Sequence, residues 1–236
     1  MFVPEAVILA GGLGTRLKSE VPDLPKGMAP INGRPFLEYL LDYLYNFVIE
    51  HVILAVGYKH EMIQNHFGNE YRGIKISYSI EDEPLGTGGA IKKAFELVEG
   101  NKAFVFNGDT MFRISLVKHY DFHMQHQADF SMVLREVENV ERYGAVERDE
   151  DRRITGFFEK GEKGGKGLIN GGVYLISKKF FNKNAFPEKF SLEKDCLEPM
   201  VNTQPFYGVL CKQYFLDIGI PEDYQKAQDD FKRFEN

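Results

Sequence analysis

The chain has 236 residues, 43% of them hydrophobic, a net charge of −6 and two cysteines. Length and apolar content suffice for one sizeable core, while the acidic balance excludes a broadly basic surface for nucleic acid or anionic membrane, so any anion site must be built locally by loops. Cys196 and Cys211 are too few for a disulfide scaffold and lack C-x-x-C spacing, which makes them reduced packing residues; no run approaches the ~18 apolar residues of a membrane span, and the leading MFVPEAVILA carries no basic leader, so a soluble cytoplasmic protein is expected.

In chain order, residues 6–10 form an apolar run bounded by glycines and read as a buried strand. The loop that follows brings Gly11, Gly12 and Gly14 together without Cβ obstruction, and Arg16 and Lys26 supply cations, a combination that fits a polyphosphate. It is not a P-loop, because no Lys-Ser or Lys-Thr follows a glycine at the required spacing. It is not a dinucleotide fingerprint either, because Leu17 stands where the third glycine belongs. Pro35 opens a segment in which Phe36, Leu37, Leu40, Leu41, Leu44 and Phe47 recur at helical spacing. Residues 51–56, 74–80 and 103–106 read as strands and 59–67 as a short helix. Residues 90–98 read as a helix with Ile91, Ala94, Phe95 and Val98 on one face, entered from a Gly86-Thr87-Gly88-Gly89 loop suited to an anion or a base. This alternation predicts a parallel sheet with crossover helices. Beyond residue 115, strands at 130–137, 144–148, 154–158, 168–176 and 206–210 follow one another with fewer helices. The absence of a linker predicts a single domain over 1–236, an α/β half at 1–115 and a more mixed half at 116–236 sharing one sheet. The glycine-rich stretch 161–167 reads as a flexible hairpin or lid, and no hexapeptide repeat is present.

Asn107-Gly108-Asp109 places a carboxylate just past the end of a buried parallel strand, where open α/β sheets bind ligands, which makes Asp109 a candidate metal ligand. Asp217 is flanked by apolar residues and needs a cation partner. His119, His123 and His126 fall on one face of a predicted helix over 116–127, and a solvated polar face accounts for them better than a metal stripe.

Taken together, GGLGTRL with Pro25-Lys26, PLGTGGAI at 84–91, NGD at 107–109, RYGAV at 142–146, FEK at 158–160, NGGVY at 170–174 and FLDIGIPEDY at 215–224 resemble the signature of the sugar-1-phosphate nucleotidyltransferases. Within that family the chain resembles the bacterial branch acting on D-glycero-α-D-manno-heptose 1-phosphate, with the mannose 1-phosphate branch close behind. The resemblance implies a Rossmann-like three-layer α/β fold with a mixed, mainly parallel central sheet. It also implies attack of a sugar 1-phosphate on a nucleoside triphosphate to give an NDP-sugar and pyrophosphate; PLGTGGAI is similar to the guanylyltransferase and muramic-acid uridylyltransferase branches more than to the thymidylyltransferases, which supports GTP. The nucleotide would be held by Leu9, Ala10, Gly11, Gly12, Gly14, Thr15, Gly86, Thr87 and Gly108. Arg16 would grip the leaving phosphates, Lys26 the α-phosphate region, and Asp109 with Asp217 would hold Mg²⁺. The sugar phosphate would meet Tyr143, Gly144, Glu159, Lys160, Asn170 and Gly171, which makes 1–115 the nucleotide-binding half and 116–236 the sugar-binding half. Gly161 stands where the family has proline after Glu-Lys, and Gly27 follows Lys26, so both lysines are expected to be less fixed than usual. The oligomeric state stays open, a homodimer included.

Overall fold

The computed structural model describes residues 5–12, 17, 20–21, 23–158 and 160–233. Its centre is set by short β-branched and aromatic runs whose alternate residues face opposite ways. In β1 (Glu5–Leu9), Ala6 and Ile8 enter one buried cluster and Val7 the other. The chain continues through β2 (Pro30–Ile31), β3 (Arg34–Pro35), α1 (Phe36–Tyr45), β4 (His51–Val56), α2 (His60–Phe67), β5 (Glu70–Tyr71), β6 (Ile74–Ile80), α3 (Gly86–Ala94) and β7 (Lys102–Asn107). β7, β1, β4 and β6 are parallel neighbours in that spatial order, as crossover helices require.

The later elements are β8 (Thr110–Phe112), α4 (Leu116–Gln125), β9 (Phe130–Val137), β10 (Ala145–Arg148), β11 (Ile154–Phe158), β12 (Gly167–Ser177) and α5 (Lys178–Lys183). A π-helical turn (Glu193–Leu197) runs into α6 (Glu198–Met200), followed by β13 (Phe206–Leu210), β14 (Phe215–Asp217) and α7 (Pro221–Phe231). β12 joins the halves: Val173–Ser177 pairs antiparallel with β7, its other edge carries β9 and then β13, and Leu168 pairs with β10. The result is one ten-stranded mixed sheet with helices on both faces. On one face α1, α2 and α7 contribute Phe36, Leu40, Ile63, Phe67 and Phe231; on the other α3 and α5 contribute Ala90, Ile91 and Phe180.

Three expectations need correction. The 86–89 segment is the first turn of α3 rather than a loop before it. Gly86 sits at φ +74°, and a Cβ on Gly88 or Gly89 would lie 2.2 Å from the Phe190 ring or 2.3 Å from the Glu188 carbonyl. The Gly88 and Gly89 amides both donate to the Phe190 carbonyl, at 3.1 and 3.2 Å, so these small residues serve close packing of 188–190 on the helix. The histidines do not share a solvated face. His119 and His123 are buried against β9, where His119 Nε2 and His123 Nδ1 lie 3.0 and 2.8 Å from Ser131 Oγ. Finally, Gly27 does not loosen Lys26. A Cβ there would stand 2.7 Å from Leu37 Cγ, so glycine lets the turn at 26–28 press onto α1. Residues 161–166 lie in the connection between β11 and β12 and Gly167 opens β12, with Val140 N donating to the Gly165 carbonyl at 3.0 Å. Both cysteines are free thiols, Cys196 buried and Cys211 partly so.

Candidate active site

β1 and β7 end level with each other, Leu9 opposite Asn107. The chain turns there through Gly108, whose amide donates to the Leu9 carbonyl at 3.0 Å; a Cβ would approach that oxygen to 2.4 Å, so only glycine lets the turn close against β1. The next residue is Asp109. Antiparallel pairing of β14 with β8 sets Asp217 opposite Thr110, and the Ile218 amide donates to the Asp109 carbonyl at 2.9 Å. Two acids far apart in sequence therefore arrive side by side through strand register.

Lys26 opens a short 3₁₀ turn after Pro25 (φ −56°, ψ 143°). Its Nζ donates to Asp109 Oδ2 and stands 3.8 Å from Asp217 Oδ1. The lysine side chain is 11% exposed against 30% and 26% for the acids, so the ammonium lies beneath carboxylates that still reach the cleft. Gly219 makes room: a Cβ would sit 2.8 Å from both Lys26 Nζ and Asp217 Oδ1, and the Gly219 amide donates to Asp217 Oδ1 at 2.7 Å. Both carboxylates also line the adjoining cleft. That donor set fits a hard divalent cation which takes one or two carboxylates and completes its shell with phosphate oxygens and water.

Beside this centre lies a cavity of about 450 Å³, within the range of small-molecule sites. Asp109, Thr110 and Asp217 line it together with Tyr143, Gly144, Lys160, Asn170 and Gly171. A β-bulge shapes its floor. The register of β12 shifts between Asn170 and Tyr174 at Gly171-Gly172; a Cβ on Gly171 would meet Phe112 at 2.4 Å, and Gly172 adopts φ +70° against Asn107. Asn170 pins the bulge, Oδ1 accepting from Gly172 N at 3.0 Å and Nδ2 donating to the Tyr174 hydroxyl at 2.7 Å. Tyr143 packs edge-on to Phe215, and burial holds its hydroxyl above the ordinary range. Lys160 is exposed at the cavity margin.

Of the other sequence-derived residues, Thr87 lines the cavity, while the Leu9 carbonyl and the Ala10 amide are engaged by Gly108 and Ala55. Among the described residues a Cβ on Gly12 would meet nothing within 4 Å, whereas one on Gly11 would come within 3.2 Å of Glu81 Oε1. Gly14, Thr15, Arg16 and Glu159 lie outside the described residues. Glu81 was missed by the sequence reading, although it directly follows β6, much as Asp109 comes two residues after β7. It accepts from the Leu85 amide through Oε2 at 2.9 Å, and burial raises its pKa. Ser191, Glu193, Lys194 and Glu198 also line the cavity and were not anticipated. Nothing local marks them, because they reach the site only by packing on α3.

Residues 5–233 match the family described as Nucleotidyl transferase. The chain is 50% identical over 230 residues to a D-glycero-alpha-D-manno-heptose 1-phosphate guanylyltransferase of Aneurinibacillus thermoaerophilus, covering 98% of this chain and 99% of that one. It is 48% identical over 220 residues to the Campylobacter jejuni subsp. jejuni serotype O:2 protein of the same description, covering 93% and 96%. HddC from Yersinia pseudotuberculosis superposes with a TM-score of 0.86 at 42% identity, covering 98% of this chain and all of that one, and the same protein complexed with GMP-PN gives 0.85. Among the described residues no helix is long and apolar enough to cross a membrane.

Proposed function

The chain belongs to the nucleotidyl transferase family, and on that premise we propose that it is a guanylyltransferase joining GTP to D-glycero-α-D-manno-heptose 1-phosphate, with release of pyrophosphate. The observation that carries the reaction type is Lys26 set between Asp109 and Asp217 at the C-terminal edge of the sheet, opening onto the cavity. The near-full-length identity to two heptose 1-phosphate guanylyltransferases carries the substrate pair.

In this reading an oxygen of the sugar phosphate attacks the α-phosphorus in line as the bond to the β-phosphate oxygen breaks and pyrophosphate leaves. Both reactants are anions, so the protein's task is to align them and offset charge. Lys26, released from Asp109 when phosphates enter, supplies a positive charge that becomes more valuable as negative charge builds on the leaving group. Arg16 grips the departing phosphates. Asp109 and Asp217 would hold Mg²⁺, which supplies charge neutralisation and orientation of phosphate oxygens when bound. Lys160 pairs with the sugar phosphate, and Glu159, Tyr143, Gly144, Asn170 and Gly171 surround the sugar. The base lies by Gly11, Gly12 and Gly86-Thr87, where Glu81 favours guanine: N1–H and the N2 amino group present adjacent donors that one carboxylate can accept. The two halves act as one catalytic unit, and a reaction drawing on GTP suits the cytoplasm.

The test is pyrophosphate release from a panel of triphosphates and sugar 1-phosphates. GTP with the heptose phosphate should give the highest kcat/KM. Preference for UTP or dTTP would remove the guanine assignment, and preference for mannose 1-phosphate would move the chain to that branch.

A further inference from the structure

One polar wall of the cavity, apart from Thr87 beside the base, has no part in the scheme above. Thr87, Ser191, Glu193, Lys194 and Glu198 line it, and Glu193 opens the π-helical turn, a helical form that recurs at functional sites. Glu193 is half-buried and its carboxylate is held in one orientation. Oε2 accepts from Thr87 Oγ1 at 3.0 Å and from Ser191 Oγ at 3.3 Å, while Thr87 Oγ1 is itself fixed by the Leu192 amide at 2.9 Å. A carboxylate offers about four acceptor sites, so capacity remains for a ligand. Glu193 lines the same cavity as Tyr143, Gly144, Lys160, Asn170 and Gly171, the residues assigned to the sugar phosphate, which sets it on the sugar side.

Resting on the guanylyltransferase reading, we propose that Glu193 is the specificity-determining acceptor for the exocyclic diol of the heptose, the hydroxyls on C6 and C7. A fixed carboxylate repels phosphate and therefore suits the part of the substrate farthest from the phosphorylated C1. Ring hydroxyls are common to mannose and the heptose, whereas the second exocyclic hydroxyl belongs to the heptose alone. Two neighbouring O–H donors match the acceptor sites of one preorganised carboxylate. When mannose binds, part of that acceptor capacity is desolvated without a partner, and such an unmet polar group is what allows a site to reject an analogue lacking a hydroxyl.

The experiment compares kcat/KM with GTP for three sugars, the heptose 1-phosphate, its 7-deoxy analogue and mannose 1-phosphate, on wild-type enzyme and on Glu193→Gln and Thr87→Val. With wild type, the 7-deoxy analogue should fall to near the mannose value. Glu193→Gln should narrow the heptose-to-mannose ratio by about tenfold or more, mainly through a raised KM for the heptose, and Thr87→Val by a smaller factor. Use of the 7-deoxy analogue as efficiently as the heptose, or an equal loss on both sugars in Glu193→Gln, overturns the proposal and leaves the guanylyltransferase reading standing. Failure of wild type to release pyrophosphate from GTP with any of the three overturns both. The analogue series is read on unaltered enzyme, so it decides even where Glu193→Gln does not fold.

Discussion

Two imidazoles enclosed between α4 and β9 should make the fold sensitive to mild acid. His119 and His123 share Ser131 Oγ, and His119 Nδ1 and His123 Nε2 have no hydrogen-bond partner among the described residues, so a second proton on either ring would be buried without an acceptor. Burial lowers His119 to about 3, with His123 adding repulsion, and lowers His123 to about 4, with Lys102 adding to the effect and Asp129 opposing it. In the unfolded chain both rings titrate near 6.5, so the unfolded state takes up protons first. The stability these groups contribute is complete above pH 6.5 and is lost as pH falls toward 3 to 4. Between pH 7 and pH 5 each ring forfeits about 1.5 pH units at 1.36 kcal/mol per unit, roughly 2 kcal/mol, and the pair about 4 kcal/mol. Urea denaturation should register this as a midpoint lower by about 1.5–2 M at pH 5, for an m-value of about 2–3 kcal/mol/M. The variant His119→Asn/His123→Asn, which keeps polar contact with Ser131, should lose most of that slope whatever its absolute stability. Equal slopes for the two proteins, or imidazole NMR titrations near 6.5, would refute the argument.

Lys26→Ala should lower kcat by about 10²–10³ with GTP KM changed only a few-fold, as for loss of a transition-state charge contact; a normal kcat with a raised KM would contradict its role. Asp109→Ala and Asp217→Ala should each lose most activity with unchanged far-UV circular dichroism, and excess chelator should stop wild-type turnover. Glu81→Gln should lower kcat/KM for GTP by about tenfold or more while narrowing the GTP preference over ITP, which lacks the N2 amino group; an unchanged GTP-to-ITP ratio would rule out guanine reading by Glu81. Gly172→Ala, forced to φ +70° and against Asn107, should cost about 1–3 kcal/mol in urea denaturation.

Local chemistry made much of this protein legible in one dimension. Alternating apolar strands and amphipathic helices specify a parallel sheet because burial of a two-sided strand has few other solutions, and the acid after β7 marks the candidate ligand edge of that sheet. Glycine-rich runs signalled close approach, yet a run of glycines does not say what approaches. At 86–89 it is Phe190 and Glu188, and at Gly27 it is Leu37, both brought there by the folded chain. The histidine spacing was equally ambiguous, since a helix face is polar or buried according to its neighbour, and β9 supplies a serine that lets two rings go inside. Asp217 could be read as an acid in need of a cation, but its place beside Asp109 and Lys26 follows from the β8–β14 register, fixed by pairing between segments about a hundred residues apart. Glu193 lay beyond sequence reasoning for the same reason. Its place comes from Thr87, contributed by a helix of the other half, and only the packing of 188–193 onto that helix turns this glutamate into part of the cavity wall.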